Sequence, residues 1–152
     1  MIRIPASLRT KATIDGYSDA AAARKYSMHK DGVVFMNRLA SALNLGKSEY
    51  RVTSNVAGIA VSGEVTLHAD HLYVQLQESC FNGRCLQLLY RSCKHRKDYA
   101  GGQNHFIAMV DLVDEDKQAQ FLQSCRTLMQ RATEQAPTAG PAPSQQPQSQ
   151  HP

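Results

Sequence analysis

A chain of 152 residues with 42% apolar side chains can build one hydrophobic core, so folding requires neither a disulfide framework nor a structural metal. No run of about 18 apolar residues occurs, which excludes a membrane-spanning helix. The net charge of +4 is unevenly spread: five basic residues and no acid lie between Arg84 and Lys97, and setting those five aside leaves 12 basic against 13 acidic residues.

Residues 1–17 carry no clean periodicity and read as a flexible lead-in. The lead-in is basic but lacks an apolar core of signal-peptide length. A cytoplasmic protein with reduced thiols is therefore expected. A single α+β domain follows over 18–135. Ser18 suits a helix N-cap before the alanine-rich stretch from Asp19 to Met28. A second helical pattern runs from Val33 to Asn44, with Val33, Met36, Ala40 and Leu43 in phase. Gly32 weakens the junction, so one interrupted helix and two short ones both satisfy the pattern. Gly46 suits a left-handed stop.

The period then changes from 3.6 to 2. Tyr50, Val52 and Ser54 alternate with Arg51 and Thr53, and Gly58 is available for a turn before the next strand. Val61, Gly63, Val65 and Leu67 alternate with polar residues, as do Leu72, Val74 and Leu76. A two-residue turn at Ala69-Asp70 would put Leu67 by Leu72, Val65 by Val74 and Gly63 by Leu76. Asn82-Gly83 is a strong turn signal leading into Cys85–Cys93. Here two inner faces compete: one pairs Leu76 with Leu89, the other uses Leu86, Leu88 and Tyr90. Phe106 to Val113 reads as a last strand, with Phe106, Ala108, Val110 and Leu112 on one side. Asp114 caps a final helix with Phe121, Leu122, Cys125, Leu128, Met129 and Ala132 in its apolar stripe. Residues 136–152, with five prolines and no acid, lysine or arginine, read as a disordered Pro/Gln/Ser-rich tail.

The expected fold is α+β: an antiparallel sheet of four to five strands, with an N-terminal helical segment and a C-terminal helix packing on one face. The other sheet face is polar and left for solvent or a partner.

The chemistry concentrates between Tyr90 and Phe106. Arg91, Lys94, Arg96 and Lys97 can neutralise phosphates, and Tyr99 can stack on an unpaired base. Gly101 and Gly102 allow close backbone approach or an anion-binding nest. Asn104 can read a base edge, and His105 closes the segment. The plain alternative is a solvated strand connection whose glycines serve chain reversal. The expected function is a small non-enzymatic nucleic-acid-binding accessory protein. An interaction module for an acidic protein, or a small hydrolase or nuclease using His95 or His105, are the alternatives.

Other constellations are weaker. Cys80, Cys85, Cys93 and His95 lack the paired knuckle spacing of a zinc site. Cys80 and Cys85 would oppose each other in a tight hairpin at disulfide distance. His68, Asp70 and His71 cluster at a hairpin tip, where histidines are ordinarily surface residues. There is no phosphate-binding loop, dinucleotide fingerprint or serine elbow. No cofactor, metal or catalytic residue is therefore assigned.

Overall fold

The computed structural model describes residues 1–9, 16–79, 85–137 and 140. Ser18 caps α1 (Asp19–Ala42), its side chain accepting from the Ala21 amide. The helix runs unbroken through Gly32. That glycine lies where α1 crosses the sheet most closely: a Cβ there would sit 3.0 Å from both Val65 Cγ2 and Leu76 Cδ2. The left-handed residue after the helix is Asn44 (φ 58°), not Gly46, because the Asn44 and Leu45 amides already turn back to Ser41 and Ala40.

Five antiparallel strands follow as a simple meander in the order β1-β2-β3-β4-β5: β1 (Tyr50–Asn55), β2 (Glu64–Ala69), β3 (Leu72–Ser79), β4 (Cys85–Ser92) and β5 (His105–Ala108). A short 3-10 helix (Met109–Val113) leads into α2 (Glu115–Glu134), capped by Asp114 as the sequence suggests. The architecture is thus the expected α+β sheet with two helices on one face. No described helix is long and apolar enough to cross a membrane.

Register corrects several sequence expectations. In the β2–β3 hairpin Val65 faces Leu76 and Leu67 faces Val74, so the turn is Asp70-His71. The expected register is off by two residues, which keeps every apolar side chain on the same face. Burial therefore cannot distinguish the two pairings. Gly63 is not a strand residue opposite Leu76. It turns the chain into β2 at φ +65°, and Ala57, not Gly58, supplies the other positive φ in this connection. Between β3 and β4, Leu76 faces Leu88 and Val74 faces Tyr90, which selects the Leu86, Leu88, Tyr90 face. Cys85 lies opposite Ser79, so the Cys80–Cys85 cross-strand pair is not the register; Cys80 and the Asn82-Gly83 turn lie outside the described residues. The last strand stops at Ala108 because the chain tightens into the 3-10 helix. Phe106 is 56% exposed on the outer face, while Ile107 packs towards the core.

The core lies between the sheet and the helices, with Met28, Phe35, Met36 and Leu39 of α1 against Val65, Leu67, Val74 and Leu76. Tyr90 meets Phe121 of α2 edge-on at 5.0 Å. Residues 1–9 are part of this core rather than a lead-in: Ile2, Ile4 and Leu8 are buried. They are held by Gln118, whose Oε1 accepts from the Ile2 amide at 2.6 Å and whose Nε2 donates to the carbonyls of Ile2 and Leu112. The tail beyond Pro137, except Gly140, is outside the described residues.

A buried histidine joins α1 to the first hairpin. His29 Nδ1 meets Ser54 Oγ at 2.7 Å and Nε2 donates to the Ser62 carbonyl at 2.8 Å, which fixes the start of β2 beside the end of β1. The chain then has no room at Gly63, where a Cβ would lie 2.2 Å from the Asn55 carbonyl oxygen. Gly63→Ala is expected to cost about 3 kcal/mol or more, from the positive φ and the backbone clash together. Urea unfolding checks this, and a loss below about 1 kcal/mol would show that the connection rearranges freely.

Candidate functional site

Sheet register sorts the side chains into two sets. Tyr50, Val52, Val65, Leu67 and their partners face the helices. Arg51, Thr53, Thr66, His68, Tyr73, Arg91 and Phe106 share the open face. Along β3 the open face carries a polar rail, Tyr73 Oη donating to Gln75 Oε1 and Gln75 Nε2 to Gln77 Oε1.

The connection from β4 to β5 folds back over one end of this face. Asp98 organises it: one carboxylate oxygen accepts from the Lys94 amide at 2.8 Å, the other from the amides of Ala100 and Gly101. Arg96 reaches across to Asp70 in the β2–β3 turn at 2.9 Å and donates to the Ser48 carbonyl at 2.6 Å. Arg91 lies over the Tyr73 ring, 4.6 Å from its centre, and donates to the Tyr99 carbonyl. Gly101 has φ +48°, and a Cβ there would be 2.5 Å from Arg91 Nε. Gly102 donates its amide to the Ser92 carbonyl at 2.9 Å. The glycine pair thus packs the connection onto β4 and Arg91.

The Lys94 amide first, then that of Gly101, hold the Asp98 carboxyl below the usual aspartate range. A carboxyl with a depressed folded pKa stabilises above its unfolded pKa and loses that contribution as pH falls through the folded value. The connection is therefore expected to loosen below about pH 4. Amide exchange at Lys94, Ala100 and Gly101 reads this directly. Asp98→Ala should give the same loss of protection at neutral pH; unchanged protection would mean that other contacts hold the connection.

Beneath Tyr99 lies His68, 6% exposed. Its ring meets both Tyr73 and Tyr99 edge-on at 5.1 Å. Burial lowers its pKa against an opposing pull from the His95 carbonyl, so the ring is neutral at pH 7. Its Nε2 has no hydrogen-bond partner among the described residues.

These pieces enclose a groove of about 750 Å³ on the open face. Its walls include Arg51 and Thr53 of β1, Thr66 and His68 of β2, Tyr73 of β3, and Arg96, Lys97 and Tyr99 of the connection. Glu64 also lines it and accepts from Asn55 Nδ2 at 3.1 Å. Cationic groups outnumber acids here, and the exposed ring of Tyr99 stands beside them while Tyr73 is buried in the floor.

The nine residues singled out in the sequence do not all meet. Arg96, Lys97 and Tyr99 line the groove, with Arg91 against Tyr73 at its base. Lys94, Gly101 and Gly102 line a separate cavity of about 640 Å³ between the connection and the C-terminal part of α2, alongside His95, Leu128 and Arg131. Asn104 is exposed. His105 pairs with Tyr90 on the helix-bearing face, their rings stacked at 5.3 Å. The sequence reading missed Arg51 and Thr53 as site residues. Alternation puts them on the outer face, but only the sheet order brings them to Arg96 and Lys97.

Among the described residues, no cluster of three histidine, cysteine or acidic side chains is arranged to hold a metal ion. Cys93 is buried, and its thiol donates to the Ala69 carbonyl at 3.4 Å. Burial pushes the thiols of Cys93 and Cys125 up to about 12. Both should resist alkylation at pH 8 in the folded protein and react only on unfolding; labelling of either before unfolding, read by mass spectrometry, would contradict their burial.

Fold and site define an α+β protein with a basic, tyrosine-edged groove on an open sheet face. No known family model matches the chain, and no characterised protein or solved structure does so either.

Proposed function

We propose that the protein is a non-enzymatic nucleic-acid-binding accessory protein that lays a single strand along the open sheet face. The reading rests on one observation: a groove in which Arg51, Arg96 and Lys97 stand beside Tyr73 and Tyr99. Phosphates take Arg51 and Lys97, with Arg96 held at the groove wall by Asp70 and the Ser48 carbonyl, and an unstacked base takes the exposed ring of Tyr99, which is 70% accessible. Arg91 acts as a support, since its guanidinium is already engaged by Tyr73 and the Tyr99 carbonyl. A single strand is favoured over a duplex because no described helix projects from the open face to enter a major groove.

Fluorescence anisotropy with labelled single-stranded DNA and RNA at low salt tests this. Binding is expected to weaken with salt in proportion to the phosphates neutralised. Tyr99→Ala should weaken it by about 1 to 3 kcal/mol through lost stacking. Absence of binding to single- and double-stranded DNA and RNA alike at low salt would refute the reading.

A further inference from the structure

β1 is the terminal strand of the sheet, and no strand among the described residues pairs with its outer edge. Edge strands are usually blunted by proline, lysine, a bulge or shortness. β1 has one charged residue, Arg51, which turns to the open sheet face, and none of the others: its six residues, Tyr50 to Asn55, run in unbroken register with β2 and include neither proline nor lysine. The opposite edge differs, since β5 has only four residues and turns at once into the 3-10 helix. Immediately after β1 the chain carries Val56, Ile59 and Val61, which are 55%, 80% and 50% exposed. Of these, Val56 directly continues the strand and is left without an apolar neighbour across the open edge.

We propose that β1 pairs antiparallel with β1 of a second copy, giving a two-fold dimer with a continuous ten-stranded sheet. The strand is complementary to itself. With the axis at Thr53, Thr53 faces Thr53, Val52 faces Ser54, Arg51 faces Asn55 and Tyr50 faces Val56. This gives a hydroxyl pair at the centre, an aromatic–β-branched pair at each end and no like charges in opposition. An in-phase register keeps Tyr50 and Val52 on the helix-bearing side in both copies, so the two cores lie on one side of the joined sheet. Such a contact is isologous and closes at two copies. The chain's own segment from Pro137 onward is a poor rival occupant, because its five prolines cannot donate to a ladder.

The inference does not rest on nucleic-acid binding, but it changes the groove. Arg51, Thr53 and Asn55 line the groove where it reaches the sheet edge. In the dimer that edge becomes the middle of the sheet. Each groove then continues into its twin, with Arg51 of the second copy bordering the first.

Analytical ultracentrifugation of the full chain from about 1 to 100 µM, the range appropriate to a modest interface, is expected to reach twice the chain mass. Thr53 is exposed in the single chain. Thr53→Lys should therefore fold normally by circular dichroism, yet raise the dimer dissociation constant by about fivefold or more, since two ammonium groups then face each other at the axis. Thr53→Cys should form a disulfide-linked dimer when diamide is added, while wild type and Thr66→Cys, one strand further in, should not. A single-chain mass at every concentration would overturn the proposal. So would a dimer indifferent to Thr53→Lys and uncrosslinked through Thr53→Cys. Oligonucleotide binding by the wild-type chain, measured over the same concentrations, keeps the two readings separate: a dimer that ignores nucleic acid removes only the first, and a binding-competent single chain at every concentration removes only the second.

Discussion

Replacing Arg51 and Lys97 together by glutamate is expected to abolish oligonucleotide binding at physiological salt while leaving the fold intact. Both side chains are exposed and line the groove from opposite sides, one from β1 and one from the β4–β5 connection. Neither is tied to an acid in the ion pairs of the described residues, so their removal leaves no buried charge behind. For a single strand, each neutralised phosphate contributes roughly 0.7 to the slope of log affinity against log salt. Losing two contacts should lower that slope by about 1.4, and the added repulsion should bring the affinity loss to the order of a hundredfold. Lys94→Glu is the informative control, because Lys94 has similar charge and exposure but lines the other cavity. A comparable loss from Lys94→Glu would mean that binding follows net charge and ignores the groove.

Gln118→Leu is expected to be the most damaging conservative-sized change in the core. Gln118 is 2% exposed and satisfies three backbone groups at once: the amide and carbonyl of Ile2 and the carbonyl of Leu112. Leucine fills the space but leaves those groups buried without partners. At roughly 1 to 3 kcal/mol for each group that cannot reach water, a loss of about 3 to 4 kcal/mol is expected after relaxation. Gln118→Glu separates packing from hydrogen bonding, since a carboxylate still accepts from the Ile2 amide but cannot donate to either carbonyl. Urea unfolding that shows Gln118→Leu within about 0.5 kcal/mol of wild type would mean that the N-terminal segment is held by its apolar side chains alone.

The legible parts of the fold were those set by local chemistry. Ser18 and Asp114 declared the helix starts because an N-cap needs a short oxygen-bearing side chain, and both make that bond. Alternation placed the inner faces of β1, β2 and β3 because side chains on a strand repeat every two residues, but it also ran Val61–Gly63 into β2 and Met109–Val113 into β5, where the chain turns instead. The same period concealed the β2–β3 register, since a slip of two keeps Val65 and Leu67 inside. Ile2, Ile4 and Leu8 escaped notice because their burial depends on Gln118, 116 positions from Ile2, and no periodic pattern announces such a clamp. The candidate site was half visible for a similar reason. The charge run ending at Lys97 marks itself in composition, whereas Arg51 joins it only through strand order. Gly101 and Gly102 were recognisable as special, but both roles open to them, ligand approach and close packing, call for glycine; the contacts with Arg91 and Ser92 support the second.

The Gln118 clamp also bears on how the chain reaches its folded form. The meander can assemble strand by strand, each strand pairing with the one before it, as soon as the residues up to β5 are available. Residues 1–9 cannot follow, because the side chain that satisfies Ile2 arrives only with α2. During synthesis the N-terminal segment, made first, is therefore among the last to dock. Until then the exposed apolar residues at its start and the open edge of β1 belong to the same unfinished molecule, which makes this interval the one in which the chain is most exposed to mispairing.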